Sequence, residues 1–210
     1  TQDVLAVRRD ESGARAFAML RWGLVPSWAT DLSVGARMIN ARAETVAEKP
    51  AFRAAFRRRR CLIAADGFYE WQKQADGTKQ PWRITLPPVD GVPPPFAFAG
   101  LWETWQSPDG EAVSTCSIIT TMANAILEPI HHRMPVILDR DVFGAWLDPD
   151  AGAAVLDALM RPYRGAMTAG PVSTRINNVR NDGPSALEPV SDGIPPPPAQ
   201  GSLFSTQRNT

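Results

Sequence analysis

Ala64-Ala65-Asp66-Gly67-Phe68-Tyr69-Glu70-Trp71 sets a turn and a lone carboxylate between two strand-like runs, and the fold is read outward from it. Cys61-Leu62-Ile63-Ala64 has the unbroken apolar character of a buried strand, Asp66-Gly67 is a turn dipeptide, and Phe68-Tyr69-Glu70-Trp71 opens a second strand. Read locally, the two runs make a hairpin with Glu70 near its top. An inward-facing Glu70 beside Trp71 is partly desolvated, which favours the protonated form and lifts the pKa towards a range useful for proton transfer. An outward-facing Glu70 is an ordinary edge-strand glutamate, the commoner fate of a strand carboxylate. These eight residues leave both readings open.

On either side the pattern is mostly sheet. Residues 3–7 and 16–21 read as strands joined by a polar turn, and further strands are expected at 81–86, 96–102, 115–120, 136–138 and 167–172. Residues 48–59 read as a helix with Phe52 and Phe56 as core anchors, surrounded by Arg53 and the run Arg57-Arg58-Arg59-Arg60. That run is a solvated helix face or a phosphate contact. Asp139 reads as the N-cap of a helix carrying Val142, Phe143, Trp146 and Leu147. A last helix is expected over 150–160, with Val155, Leu156 and Leu159 inward. The proline-rich 87–95 is a surface loop rather than a domain boundary. Residues 1–191 form one domain, and 192–210, rich in Pro, Ser and Gln, read as a disordered tail.

Composition narrows the class. A chain of 210 residues with 44% hydrophobic content can bury one substantial core. Its formal charge is zero, from 22 basic and 22 acidic residues, which excludes a uniformly basic coat for nucleic acid and permits a local basic groove. No run approaches the roughly 18 apolar residues of a membrane span, and no secretory pattern opens the chain, so a soluble, cytoplasmic protein is expected. Cys61 and Cys116 lie in apolar strand contexts without a Cys-x-x-Cys motif and read as buried reduced thiols. With only two histidines beside them, neither a metal nor another cofactor is expected.

Three other segments carry chemistry. Trp22-Gly23-Leu24-Val25-Pro26-Ser27-Trp28 is a stiff loop whose indoles either plug the core or stack nucleobases. Asn40 and Arg42, two apart in an extended stretch, leave on one face and together suit a phosphate or sugar oxygen; a capping Asn and a surface Arg are the plainer reading. Both histidines fall in His131-His132-Arg133-Met134-Pro135. A guanidinium beside His131 would favour the uncharged ring, fit for a base or proton relay, although most single histidines are structural.

Taken in order, Trp22 to Trp28, Asn40-Ala41-Arg42-Ala43-Glu44-Thr45, Arg60 to Trp71, His131 to Pro135 and Asn177-Asn178-Val179-Arg180-Asn181-Asp182-Gly183-Pro184 resemble the motifs of the SOS-response-associated peptidase (SRAP) family. The resemblance covers nearly the whole chain up to the tail. It implies an α+β fold with curved, mainly antiparallel sheets in an open-barrel-like arrangement flanked by short helices. It also implies a protein, expected to be monomeric and nucleoid-associated when bound to DNA, that recognises abasic sites in single-stranded DNA. In the family the crosslink is a thiazolidine, made by the α-amine and thiol of an N-terminal cysteine with the ring-opened sugar. By carry-over, Asn40 positions the nucleophile and the sugar, Glu70 handles protons at the amine, and His131 assists ring opening and crosslink reversal. Arg42 and Arg133 hold phosphates, and Trp22 and Trp28 shape or stack along the strand. Two departures stand out. Ala64 occupies a position where the family commonly has proline, a change expected to alter only the local turn. The nucleophilic cysteine belongs to a segment upstream of Thr1, so the sequence as written is expected not to form the thiazolidine. Two other readings are an autoproteolytic hydrolase, which the family name suggests, and a non-covalent module for single-stranded or modified DNA.

Overall fold

A computed structural model describes residues 2–178, 180, 181 and 183; the tail expected at 192–210 lies outside the described residues. Among the described residues eleven strands carry the fold: β1 (Asp3–Arg9), β2 (Arg15–Trp22), β3 (Asn40–Arg42), β4 (Arg60–Ala65), β5 (Phe68–Lys73), β6 (Lys79–Thr85), β7 (Phe96–Gln106), β8 (Ala112–Met122), β9 (Arg133–Pro135), β10 (Ile137–Leu138) and β11 (Thr168–Pro171). Three short helices join them, α1 (Arg53–Arg58), α2 (Phe143–Leu147) and α3 (Ala153–Leu159). The α+β class and the curved sheet match the expectation.

The main sheet closes on itself. β7 pairs β4, β4 pairs β1, β1 pairs β2, β2 pairs β8 and β8 returns to β7, making a five-stranded barrel. Four of these pairings are antiparallel and the closing one, β2 with β8, is parallel over Arg21 and Trp22. Closure leaves these strands few free edges. β3 extends β8 in parallel and β9 pairs with its last residues. β11, β6 and β5 form a second, antiparallel sheet.

The alternation of each strand splits the core in two. Ala6, Leu20, Cys61, Ile63, Cys116 and Ile118 fill the barrel and continue into Trp82 and Ile84 of the second sheet. Leu62, Ala99, Leu101 and Ile119 point outward and are covered by Phe52, Phe56, Trp146, Leu147 and Leu156 from the helices. Trp146 anchors this layer, with its indole N–H donating to the Cys61 carbonyl at 2.9 Å. Barrel curvature demands a narrow place, and Gly100 supplies it: a Cβ there would stand 2.8 Å from Cys61 Sγ.

Several local expectations change. Ala64-to-Trp71 is not a hairpin, because both edges of β4 are taken by β1 and β7. The chain instead turns a corner at Asp66-Gly67 and starts the second sheet, with Phe68 opposite Ile84. Gly67 allows the corner to press on β6, since a Cβ would lie 2.9 Å from the Ile84 carbonyl oxygen. Ala64 belongs to the β4 ladder opposite Ala97 rather than to the turn. The helix expected over 48–59 is confined to α1, preceded by turns, and that expected over 150–160 is confined to α3, where Val155 faces solvent. Arg60 is no surface arginine: it is buried, donating to the carbonyls of Phe56, Arg57, Trp146 and Asp148.

Candidate functional site

Register alone puts the candidate residues on one face. Asn40 lies opposite Ile118 and Arg42 opposite Thr120, while Met122 lies opposite Arg133 on the far side of β8. Residues paired across strands point the same way, and residues two apart along a strand share a face. Asn40, Arg42, Thr120, Met122 and Arg133 therefore share a surface across β3, β8 and β9, with Ala41 buried beneath. Asn40 and Arg42 are both exposed, and Met122 adds an apolar patch at 55% exposure.

Two residues before β9, the chain carries His131 to the second sheet. His131 Nδ1 stands 3.4 Å from Glu70 Oε2 and 3.2 Å from the Arg133 carbonyl oxygen. Glu70 comes from β5, opposite Trp82, and its side chain is 21% exposed. Burial pushes its carboxyl above the ordinary glutamate range, opposed by the facing His131 and by the Trp71 backbone N–H. The charged group that faces His131 is thus Glu70, not the Arg133 guanidinium expected from sequence. Gln72 braces the pair by donating from Nε2 to the Pro129 carbonyl at 2.9 Å, just ahead of the histidines. Trp71 Nε1 donates to Asn177 Oδ1 at 2.7 Å, which brings the last motif to the strand that carries Glu70.

Arg133 forms a fork with Glu44: Nη1 reaches Oε1 at 2.7 Å and Nη2 reaches Oε2 at 2.9 Å. Nη2 also donates to the Thr120 carbonyl at 2.7 Å. This pair holds the Glu44 carboxyl below its usual range, with Arg42 adding a smaller attraction. Glu44 is the residue that sequence reasoning missed. It stands in the turn that directly follows Asn40 and Arg42 in the same motif, and its partner lies 89 residues away.

The two thiols are remote from this chemistry. Cys61 and Cys116 are free and fully buried. Burial raises the Cys61 thiol and pushes Cys116 up to about 12, so neither offers a thiolate. Among the described residues, no group of three or more His, Cys, Asp or Glu side chains could hold a metal ion. No helix among them is long and apolar enough to cross a membrane.

Comparison with known proteins agrees with the motif order. The family profile described as SOS response associated peptidase (SRAP) matches residues 1–179. The chain belongs to the SRAP family. It is 44% identical over 190 residues to the abasic site processing protein YoqW of Bacillus subtilis, covering 90% of this chain and 83% of that one. It is 35% identical to the abasic site processing protein HMCES of Gallus gallus, covering 88% of this chain and 61% of the longer relative. A crystal structure of a protein from Bacteroides thetaiotaomicron superposes with a TM-score of 0.79 at 28% identity, covering 90% of this chain and 81% of the other.

Within this SRAP fold the two tryptophans part company. Trp22 is half-buried, and its indole N–H donates to the Ile39 carbonyl at 2.9 Å, directly before Asn40. Its backbone N–H donates to the Gln2 carbonyl, also at 2.9 Å, so Trp22 joins the start of the described chain to Asn40. Trp28 is 64% exposed, on a turn whose Ala29 carbonyl accepts the Trp105 indole N–H. No hydrogen bond or ring contact among the described residues links Trp28 to Glu70 or His131.

Proposed function

We propose that this SRAP protein recognises abasic sites in single-stranded DNA and holds the opened sugar covalently as a thiazolidine. The observation that carries this reading is the half-buried Glu70–His131 pair, whose histidine lies two residues before Arg133, on the face that Arg133 shares with the exposed Asn40 and Arg42. An abasic deoxyribose exposes an aldehyde once its ring opens. A free α-amine condenses with that carbon and releases water, and a neighbouring thiol adds across the resulting C=N bond while its proton passes to nitrogen. A carboxyl with a raised pKa can take the proton of the attacking ammonium and return one to the departing hydroxyl. His131 serves the ring oxygen, both in opening the sugar and in reversing the adduct.

The nucleophile would be a cysteine preceding Thr1. Buried Cys61 and Cys116 lack both a free α-amine and a thiolate. The Gln2–Trp22–Ile39 chain of hydrogen bonds supports an approach of that segment to Asn40. Arg42 holds a phosphate directly. Arg133, bridged to Glu44 in the free protein, meets a phosphate by exchanging that partner, and Trp28 offers its open indole to a base. The protein acts in the cytoplasm as a monomer on single-stranded stretches of the nucleoid.

The test is incubation of protein bearing an exposed N-terminal cysteine with a strand containing one abasic site, followed by a denaturing gel. A heat-stable adduct is expected, and Glu70→Gln is expected to slow its formation more than it weakens binding of the strand. Binding without any adduct would leave a non-covalent module. Equal losses in both measurements would make Glu70 a structural residue.

A further inference from the structure

The barrel rim opposite Glu70 carries a cavity. β4 runs from Arg60 to Ala65 and then passes to β5, so a residue flanking Arg60 lies at the far end of that strand from Glu70. β1 ends at this far rim, with Arg8 opposite Cys61. A cavity of about 500 Å³ opens there, lined by Arg8, Arg9, Arg58, Arg60, Trp102 and Thr104 among others.

The four arginines divide by role. Arg60 is buried in carbonyl oxygens, and Arg9 is fixed by donating to the carbonyls of Leu147 and Gly13. These two form the wall. Arg8 sits over Trp102, its Cζ 4.0 Å from the ring centroid, and no described acceptor takes its N–H groups. A guanidinium held over an aromatic face keeps N–H donors free, and a free fork can grip two oxygens of one oxyanion. Arg58, exposed at the end of α1, likewise has no described acceptor. Two carboxylates share the rim, Asp10 and Glu11. Asp10 is occupied by the backbone N–H groups of Ser12 and Ala14 and by the Ser12 hydroxyl, within its own turn. With four arginines against two carboxylates the cavity keeps an excess of positive charge, and beside the apolar walls of Trp102, Leu147 and Pro149 the lower local dielectric strengthens its attraction for an anion.

We propose that this cavity binds a phosphate monoester of mononucleotide size, with Arg8 and Arg58 on the phosphate and the apolar wall against the sugar or base. The volume suits one nucleotide, and a monoester offers about 1.5 to 2 negative charges and three oxygens to the two arginines that line the same cavity. A free nucleotide and the 5′-phosphorylated end of a strand present the same group.

Calorimetric titration of the protein at low salt tests this, using thymidine, thymidine 5′-monophosphate, the dinucleotide TpT and its 5′-phosphorylated form pTpT. The monophosphate or pTpT is expected to bind, thymidine and TpT not. Arg8→Lys and Arg58→Glu are each expected to weaken that binding by about tenfold or more, because neither restores a fork. Arg42→Ala, on the other rim, is expected to leave it unchanged, and Arg58→Glu to leave adduct formation with abasic DNA unchanged. Tighter binding of pTpT than of the monophosphate identifies a strand end as the ligand, and the reverse order a free nucleotide. Failure of both phosphorylated ligands to bind would overturn the proposal. So would equal binding of TpT and pTpT, or indifference to Arg58→Glu with the melting temperature intact.

Discussion

Glu70 gains its chemical character from being half removed from water while keeping one polar neighbour. Its carboxyl titrates above the usual 4.5 because burial disfavours the charge more than His131 and the Trp71 N–H favour it. The folded protein then binds the proton more tightly than the unfolded chain does. The resulting stabilisation is complete below the unfolded value and is lost as pH rises through the folded one. At neutral pH the charged carboxylate is a burden on the fold that glutamine would not carry. Glu70→Gln is therefore expected to melt a little higher than the parent at neutral pH, with the gap closing as the pH is lowered towards 4.5. A gap that stays constant across that range, measured by thermal melts, would mean that Glu70 ionises as freely as an exposed glutamate. Arg133 teaches a different lesson at this scale. Its fork on Glu44 has ideal bidentate geometry, yet Glu44 is close to half exposed, so the pair orders β9 against the turn after β3 more than it stabilises the fold.

At the scale of elements, the sequence was legible wherever one strand's own alternation carried the information. Asn40 and Arg42 share a face because any extended chain alternates, and Phe52 and Phe56 are buried because their spacing fits one side of a helical turn. It was illegible where partners come from far along the chain. Asp66-Gly67 looks like a hairpin turn, but whether β5 can pair with β4 depends on β1 and β7, which already hold both of its edges. Arg60 was unreadable for the same reason, since its acceptors at Trp146 and Asp148 lie more than eighty residues on. Gly100 belongs to this class too, a glycine within a strand whose purpose appears only when β4 is laid beside β7. Gly100→Ala would push a methyl to 2.8 Å from both Cys61 Sγ and Ile63 Cδ1, at the centre of the barrel. Overpacking of this kind costs about 1–3 kcal/mol. A lower denaturant midpoint with an unchanged slope is expected for this variant, and no change in midpoint would show that the barrel can widen at this level.

The whole molecule is electrically neutral, with 22 charges of each sign, so its DNA affinity has to come from where its cations stand rather than how many there are. The strands sort those cations onto two rims. Arg42 stands with Glu70 and His131 at one, while α1 delivers Arg57 and Arg58 to the start of β4 at the other. Because screening in physiological salt limits exposed charges to a reach of about 8 Å, cations on the far rim add little to a strand gripped on the near one. Each phosphate neutralised on a single strand contributes about 0.7 to the slope of log affinity against log salt. The slope for an abasic single strand is therefore expected to be shallow, of magnitude about 3 or less, in keeping with a few local contacts. Arg42→Ala is expected to reduce it by about 0.7 and to weaken binding for every sequence around the lesion alike. Arg57→Ala removes the same charge from the same neutral molecule and is expected to change neither. Fluorescence anisotropy of a labelled strand over a salt series separates the two cases. If the variants shifted the slope equally, net charge and not the near-rim face would be what holds the DNA.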